Sequence, residues 1–205
     1  MRGETFPASR MTGRTAILPC MTSPSSNLPQ PTDALARVIQ RGAADFALPY
    51  DLVLAICRKE SGLNTWATRY EPDFRWLWDN RLLRAYNCRP ADMSLDKAPS
   101  DFSGLPGITP NTEWVAQQTS YGLMQVMGSL AREQGFKGYL SALCDPLAGV
   151  NSGCAYLRAL SRKHFASLGW DGVIAAYNAG SPRKDGVRYI NQEYVDGVRA
   201  LGFRQ

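Results

Sequence analysis

At 205 residues, with 44% hydrophobic and 20% charged side chains, the chain is long enough for a substantial core and has the composition of a soluble globular protein. No apolar run reaches the length that crosses a bilayer, so no membrane span is expected. The formal charge of +5 suits an anionic partner such as nucleic acid, a membrane surface or a bacterial cell wall. The Lys and Arg residues are scattered, without an aromatic-and-basic stripe, which disfavours nucleic acid.

Residues 1–31 are rich in Pro, Ser and Thr and lack periodicity, so a disordered tail is expected there, with the folded domain covering 32–205. The run Thr15-Ala16-Ile17-Leu18-Pro19-Cys20 is too short and too broken to be the apolar region of a signal peptide, and no export signal is read. Thr32 and Asp33 cap a predicted helix over Ala34–Phe46 whose apolar face is Leu35, Val38, Ile39 and Phe46. A second helix is expected behind Pro49 and Asp51, stopping at Gly62. Leu52, Ile56 and Glu60 recur every four residues in it, with Val53 and Cys57 alongside, so one carboxylate shares the apolar face. Burial and the negative helix end both disfavour its ionised form, which would suit a general acid. The alternative is a buried Glu paired with an Arg for stability.

Residues 66–118 are the most aromatic stretch, with a helix expected over Phe74–Tyr86 and a Pro- and Gly-containing loop over Ala98–Pro110. Thr112 is read as the cap of a helix starting at Glu113. Ser120–Met127 is expected to enter a helix reaching Gln134. Asp145-Pro146 opens another through Val150, Cys154, Leu157 and Leu160. Asp171 starts a helix over Gly172–Asn178 that stops at Gly180, and Ile190–Leu201 forms the last. The fold class expected is mainly α.

Metal and nucleophile chemistry find little material. The five cysteines contain no C-x-x-C pair, and Cys144 and Cys154 could approach each other without a disulfide being required. The single histidine, His164, sits in Ser-Arg-Lys-His-Phe, where a solvated cation in a helix's last turn is expected. No cofactor and no metal are implied.

Four dispersed pieces occur in one order: Glu60-Ser61, Gly122-Leu123-Met124-Gln125, Ala176-Tyr177-Asn178-Ala179-Gly180 and Tyr194-Val195. Together they resemble the lysozyme-like lytic transglycosylases that cut bacterial peptidoglycan, the soluble-lytic-transglycosylase catalytic domain of glycoside hydrolase family 23. Gly135-Phe136, Leu143-Cys144-Asp145-Pro146 and Gly153-Cys154-Ala155-Tyr156-Leu157 look like the same family.

The resemblance implies a lysozyme-like, mainly α single domain, here with an aromatic-rich insertion, that binds glycan strands of peptidoglycan; a monomer is expected. Glu60 would match the family's catalytic acid and base. It would protonate the oxygen joining N-acetylmuramic acid to N-acetylglucosamine, then take the proton of the muramoyl C6 hydroxyl as that oxygen closes on C1. Family members lack a second carboxylate, because the tethered hydroxyl replaces the water that ordinary glycosidases must activate.

By position in the motifs, Ser61, Gly122, Leu123, Met124, Gln125, Tyr177, Asn178 and Tyr194 would be substrate-binding or orienting residues. Gly122 would allow close backbone approach to sugar, and Tyr194 would orient Glu60; core packing is the other reading of Met124, Tyr177 and Tyr194. The separation of Glu60 from Gly122 exceeds the family pattern, so 66–118 reads as an insertion. Its Trp76 and Trp78 would extend a groove by stacking on sugars, or pin the insertion to the body. Among Glu71, Asp73, Asp79 and Glu113, Glu113 is the candidate second carboxylate that would convert the reaction to hydrolysis, as in goose-type lysozymes. An inactive wall-binding component is a further alternative. A substrate outside the cytoplasm with no export signal read suits a phage or prophage lysis enzyme, a virion-borne wall enzyme or a secretion-system accessory.

Overall fold

A computed structural model of the chain describes residues 28–89, 91–92 and 97–205. Most of the expected tail, with Cys20, lies outside the described residues. Helices dominate: α1 (Asp33–Asp45), α2 (Tyr50–Ser61), α3 (Pro110–Gln117), α4 (Gly128–Glu133), α5 (Pro146–Ala179) and α6 (Gln192–Ala200). Among the described residues seven short strands accompany them: β1 (Thr68–Tyr70), β2 (Trp76–Asp79), β3 (Arg84–Asn87), β4 (Thr119–Tyr121), β5 (Val126–Met127), β6 (Lys184–Asp185) and β7 (Arg188–Tyr189). No helix of the described residues is long and apolar enough to cross a membrane. The chain divides into two compact units, one made of the segments up to Lys59 and from Ala155 to Gln205, the other of Glu60–Cys154.

In the first unit, α1 starts where Thr32 Oγ1 accepts the Leu35 amide at 3.3 Å, and it buries Ile39, Gly42 and Ala43. In α2 the six consecutive residues Leu52–Cys57 are all buried, so this helix is apolar all round over its middle rather than along one stripe. Pro49 stands just before α2, where its carbonyl accepts the Val53 amide at 3.2 Å. Arg58 ties distant segments together, donating to the carbonyls of Pro29 at 2.8 Å and Leu201 at 2.9 Å. The helix expected from Asp171 onward is the second part of α5, which breaks at Gly169 in a left-handed conformation (φ 61°). His164 precedes that break, and it is no solvated helix-end cation. Its Nε2 is buried without a hydrogen-bond partner among the described residues. Burial, with Lys163 adding to it, pulls the imidazole below its ordinary pKa.

The second unit departs most from the sequence reading. Phe74–Tyr86 is not a helix but the antiparallel hairpin β2–β3, with Trp76 opposite Asn87 and Asp79 opposite Arg84. Its turn is made by Asp79, whose Oδ1 accepts the amides of Arg81 and Leu82, both at 2.9 Å. Leu77 points into a small core with Phe102 and Trp114, and Phe74 and Tyr86 pack on it. The rings of Tyr86, Phe102 and Trp114 meet edge to face at centroid distances of 5.0–6.1 Å. The stretch thus carries an aromatic core of its own.

α3 begins one turn earlier than expected, because Thr109 is the cap, accepting the Thr112 amide at 3.3 Å, and Pro110 takes the first helical position. The helix expected to follow Ser120–Met127 is confined to α4, since β4, a turn and β5 come first. In the sheet β1-β4-β5, Thr68 faces Tyr121 and Tyr70 faces Thr119. That ladder closes the insertion at its base, so the excursion proper is 71–118.

Candidate functional site

α2 ends at Ser61 because Gly62 adopts a left-handed conformation (φ 61°), and Glu60 is half-buried in the final turn. Ser61 Oγ donates to the Leu123 carbonyl at 2.9 Å. One hydrogen bond therefore joins the end of α2, beside Glu60, to a turn 62 residues later.

That turn is built from the four residues of the second motif. Gly122 has φ 69°, and a Cβ there would lie 2.4 Å from the Leu143 carbonyl oxygen, so only glycine fits. The close approach it permits is to the chain's own backbone. Leu123 and Met124 are fully buried. Met124 packs on Gly153, where an added Cβ would meet its Sδ at 2.5 Å. Gln125 is half-buried with a left-handed backbone (φ 46°), a strained state for a side-chain-bearing residue. Its amide fixes the surroundings. Nε2 donates to the carbonyls of Ala67 and Gly122, both at 2.9 Å, while Oε1 accepts from Ser120 Oγ at 2.9 Å. The Ala67 carbonyl also accepts the Gly122 amide at 2.8 Å. Sequence reasoning missed Ala67 and Ser120, since a backbone carbonyl and a buried serine carry no pattern to find.

The remaining motif residues belong to the other unit. Asn178 Oδ1 accepts from Asn191 Nδ2 at 2.9 Å, and the same nitrogen donates to the Ala175 carbonyl at 3.0 Å. The Asn191 carbonyl in turn accepts the Tyr194 amide at 2.9 Å. Asn191 thus links the third motif to the fourth. Its position just before α6 is that of a capping residue, which was the available signal. The Tyr177 and Tyr156 rings lie 5.5 Å apart, and Lys59 Nζ is 5.8 Å from the Tyr194 ring centroid.

Glu113, the second carboxylate considered, is wholly inaccessible to solvent. Arg132 grips it with two bonds, Nε to Oε1 at 2.7 Å and Nη2 to Oε2 at 2.9 Å. Gln117 and Asn80 add donors to Oε1 at 2.9 and 3.0 Å. Burial alone pushes the carboxyl pKa upward, but these hydrogen bonds and the Arg132 charge outweigh it, so the group sits below its ordinary value. Arg132 Nη1 also donates to the carbonyls of Phe136 and Gly138. Gln117 extends the network by bonding both backbone groups of Trp78, at 2.7 and 3.0 Å, as a neighbouring strand would. Of the other acids in the excursion, Asp79 makes the hairpin turn and Glu71 pairs with Arg69. Among the described residues no three His, Cys, Asp or Glu side chains gather as a metal ion would need.

The family model described as the transglycosylase SLT domain matches residues 37–194. No curated protein and no solved structure matches the chain.

Proposed function

We propose, for a chain that belongs to the transglycosylase SLT domain family and has its mainly α, lysozyme-like fold, that Glu60 is the single general acid and base of a peptidoglycan lytic transglycosylase. Family members are lytic transglycosylases, and the membership implies peptidoglycan as substrate and the cell wall as the place of action.

Glu60 in its acid form gives its proton to the glycosidic oxygen between N-acetylmuramic acid and N-acetylglucosamine, and the bond to C1 of the muramoyl residue breaks. The carboxylate so formed takes the proton of the muramoyl C6 hydroxyl while that oxygen closes on C1. The product carries a 1,6-anhydro end, Glu60 is again protonated, and no water is consumed. The hydroxyl is already tethered to its target, so no second carboxylate is needed to hold a nucleophile. Gln125 with Gly122 forms the substrate-binding turn, buried Leu123 and Met124 back it, and Ser61 positions the end of α2. Tyr177, Asn178 and Tyr194, which lie in the other unit, are assigned to substrate binding by their places in the motifs alone.

The observation that carries this reading is the Ser61–Leu123 hydrogen bond, which couples the last turn of α2, and so the backbone next to Glu60, to the Gly122–Gln125 turn. Hydrolysis through Glu113 has no comparable support, since both oxygens of that carboxylate are engaged inside the protein.

The test is mass spectrometry of purified peptidoglycan digested by the protein. Anhydromuramic ends, lighter by one water than reducing ends, are expected. Glu60→Gln should lower their yield by on the order of a hundred-fold or more. Reducing ends alone, or full activity in Glu60→Gln, would overturn the reading.

A further inference from the structure

Between α2 and β1 the chain holds a large aromatic ring in water. Trp66 is 77% exposed, although tryptophan gains more than almost any residue from burial. The exposure is not that of a loose loop. The Trp66 amide donates to Asn64 Oδ1 at 3.0 Å, the Asn64 amide to the Ser61 carbonyl at 3.1 Å, and the Ala67 amide to the Asn64 carbonyl at 3.3 Å. The next carbonyl, that of Ala67, is the one gripped by both Gly122 and Gln125. The backbone is thus fixed on both sides of Trp66 while its side chain stays largely in solvent.

Its surroundings narrow the ligand's chemistry. Tyr70, 51% exposed, follows on β1, an edge strand whose three residues are all exposed. The charges flanking Tyr70 cancel, because Arg69 pairs with Glu71. Two exposed aromatic side chains, the second flanked by a paired Arg69 and Glu71, suit the C–H face of a pyranose better than a phosphate or an anionic lipid. We infer that Trp66, with Tyr70 following four residues later on β1, is a stacking platform for an N-acetylated sugar ring of the glycan strand, linked to the Gly122–Gln125 turn through the Ala67 carbonyl. The inference rests on the reading of that turn as the substrate-binding element.

Binding is measured in the Glu60→Gln background, so that nothing is cleaved, with a soluble N-acetylglucosamine hexamer and with short peptidoglycan glycan strands as probes. Trp66→Ala should raise Kd for both about ten-fold, corresponding to the loss of one aromatic contact. Trp66→Phe should restore most of the affinity, and thermal unfolding should shift by less than ~2 °C, as befits an exposed position. In the Glu60 protein, Trp66→Ala should raise KM more than it lowers turnover. Unchanged affinity, or a loss that Phe does not rescue, would overturn the inference. The two readings fail separately. Anhydro ends formed at unaltered KM by Trp66→Ala would sink the platform alone, whereas reducing ends with weakened binding in Trp66→Ala would sink the proposed reaction alone.

Discussion

Glu113→Gln tests the account of the second unit. The substitution keeps the side-chain shape but removes the charge that faces Arg132, whose side chain is 1% exposed against 0% for Glu113. A buried cation left without its partner costs about 3–5 kcal/mol, far above the value of a surface pair. For a chain of this size, ~2–4 °C is lost per kcal/mol, so the melting temperature should fall by about 6–20 °C. Urea unfolding followed by circular dichroism gives the free energy directly. Replacing both partners, Glu113→Leu with Arg132→Met, should recover part of the loss, since no charge is then buried. Recovery should be incomplete because the Phe136 and Gly138 carbonyls lose their donor. The acid limb supplies an independent reading. Glu113 titrates below its ordinary value when folded, so its contribution is full above the unfolded pKa and fades as pH falls through the folded one. Wild type should therefore lose more stability on acidification than Glu113→Gln does. A destabilisation under about 1 kcal/mol would refute the reasoning, because it would mean that Arg132 does not depend on this carboxylate.

Three more outcomes follow from the geometry. Gly122→Ala should cost at least ~2 kcal/mol in urea titrations, from a left-handed backbone and a Cβ driven into the Leu143 carbonyl; a neutral effect would contradict the turn as described. Ser61→Ala removes the half-buried bond to the Leu123 carbonyl, worth about 1 kcal/mol of stability, yet should slow release of glycan fragments by about ten- to a hundred-fold through misplacement of Glu60. Equal and small effects on both would detach Ser61 from the mechanism. Cys154 is buried, and that burial pushes its thiol up to about 12. Iodoacetamide near pH 8 should alkylate it only after denaturation, as peptide mass mapping would reveal, and native labelling would contradict its burial.

The legible parts of the sequence were those where local chemistry and tertiary structure agree. Thr32 caps α1, Gly62 and Gly180 take the left-handed states that their chain positions suggested, and Asp145 Oδ1 accepts the Ala148 amide at 3.0 Å to start α5. The hairpin β2–β3 was not legible, because no Asn-Gly or Asp-Gly pair marks its turn. Asp79 makes the bend from the strand before it, and Leu83 takes a left-handed backbone (φ 50°) that its residue type disfavours. The cap of α3 is legible in Thr109-Pro110, a cap followed by the proline favoured at the first helical position, although Thr112 three residues later is of capping type too. Of the candidate site, Ser61, Gly122 and Gln125 are joined through carbonyls that no side-chain pattern encodes. Glu113 shows the limit of counting acids, since its type suggested chemistry while its burial and its arginine give it a structural occupation.

The side-by-side ends of the excursion have an evolutionary and practical meaning. Tyr70 and Thr119 are neighbours across a ladder, so both ends of the long segment meet at one place and a short turn could join them. The graft is not free of obligations, because its Glu113 neutralises an arginine that belongs to α4 outside it. A trimmed version, with a tight turn joining those two residues, should withstand more urea when Arg132 is exchanged for an apolar residue in the same step than when it is kept.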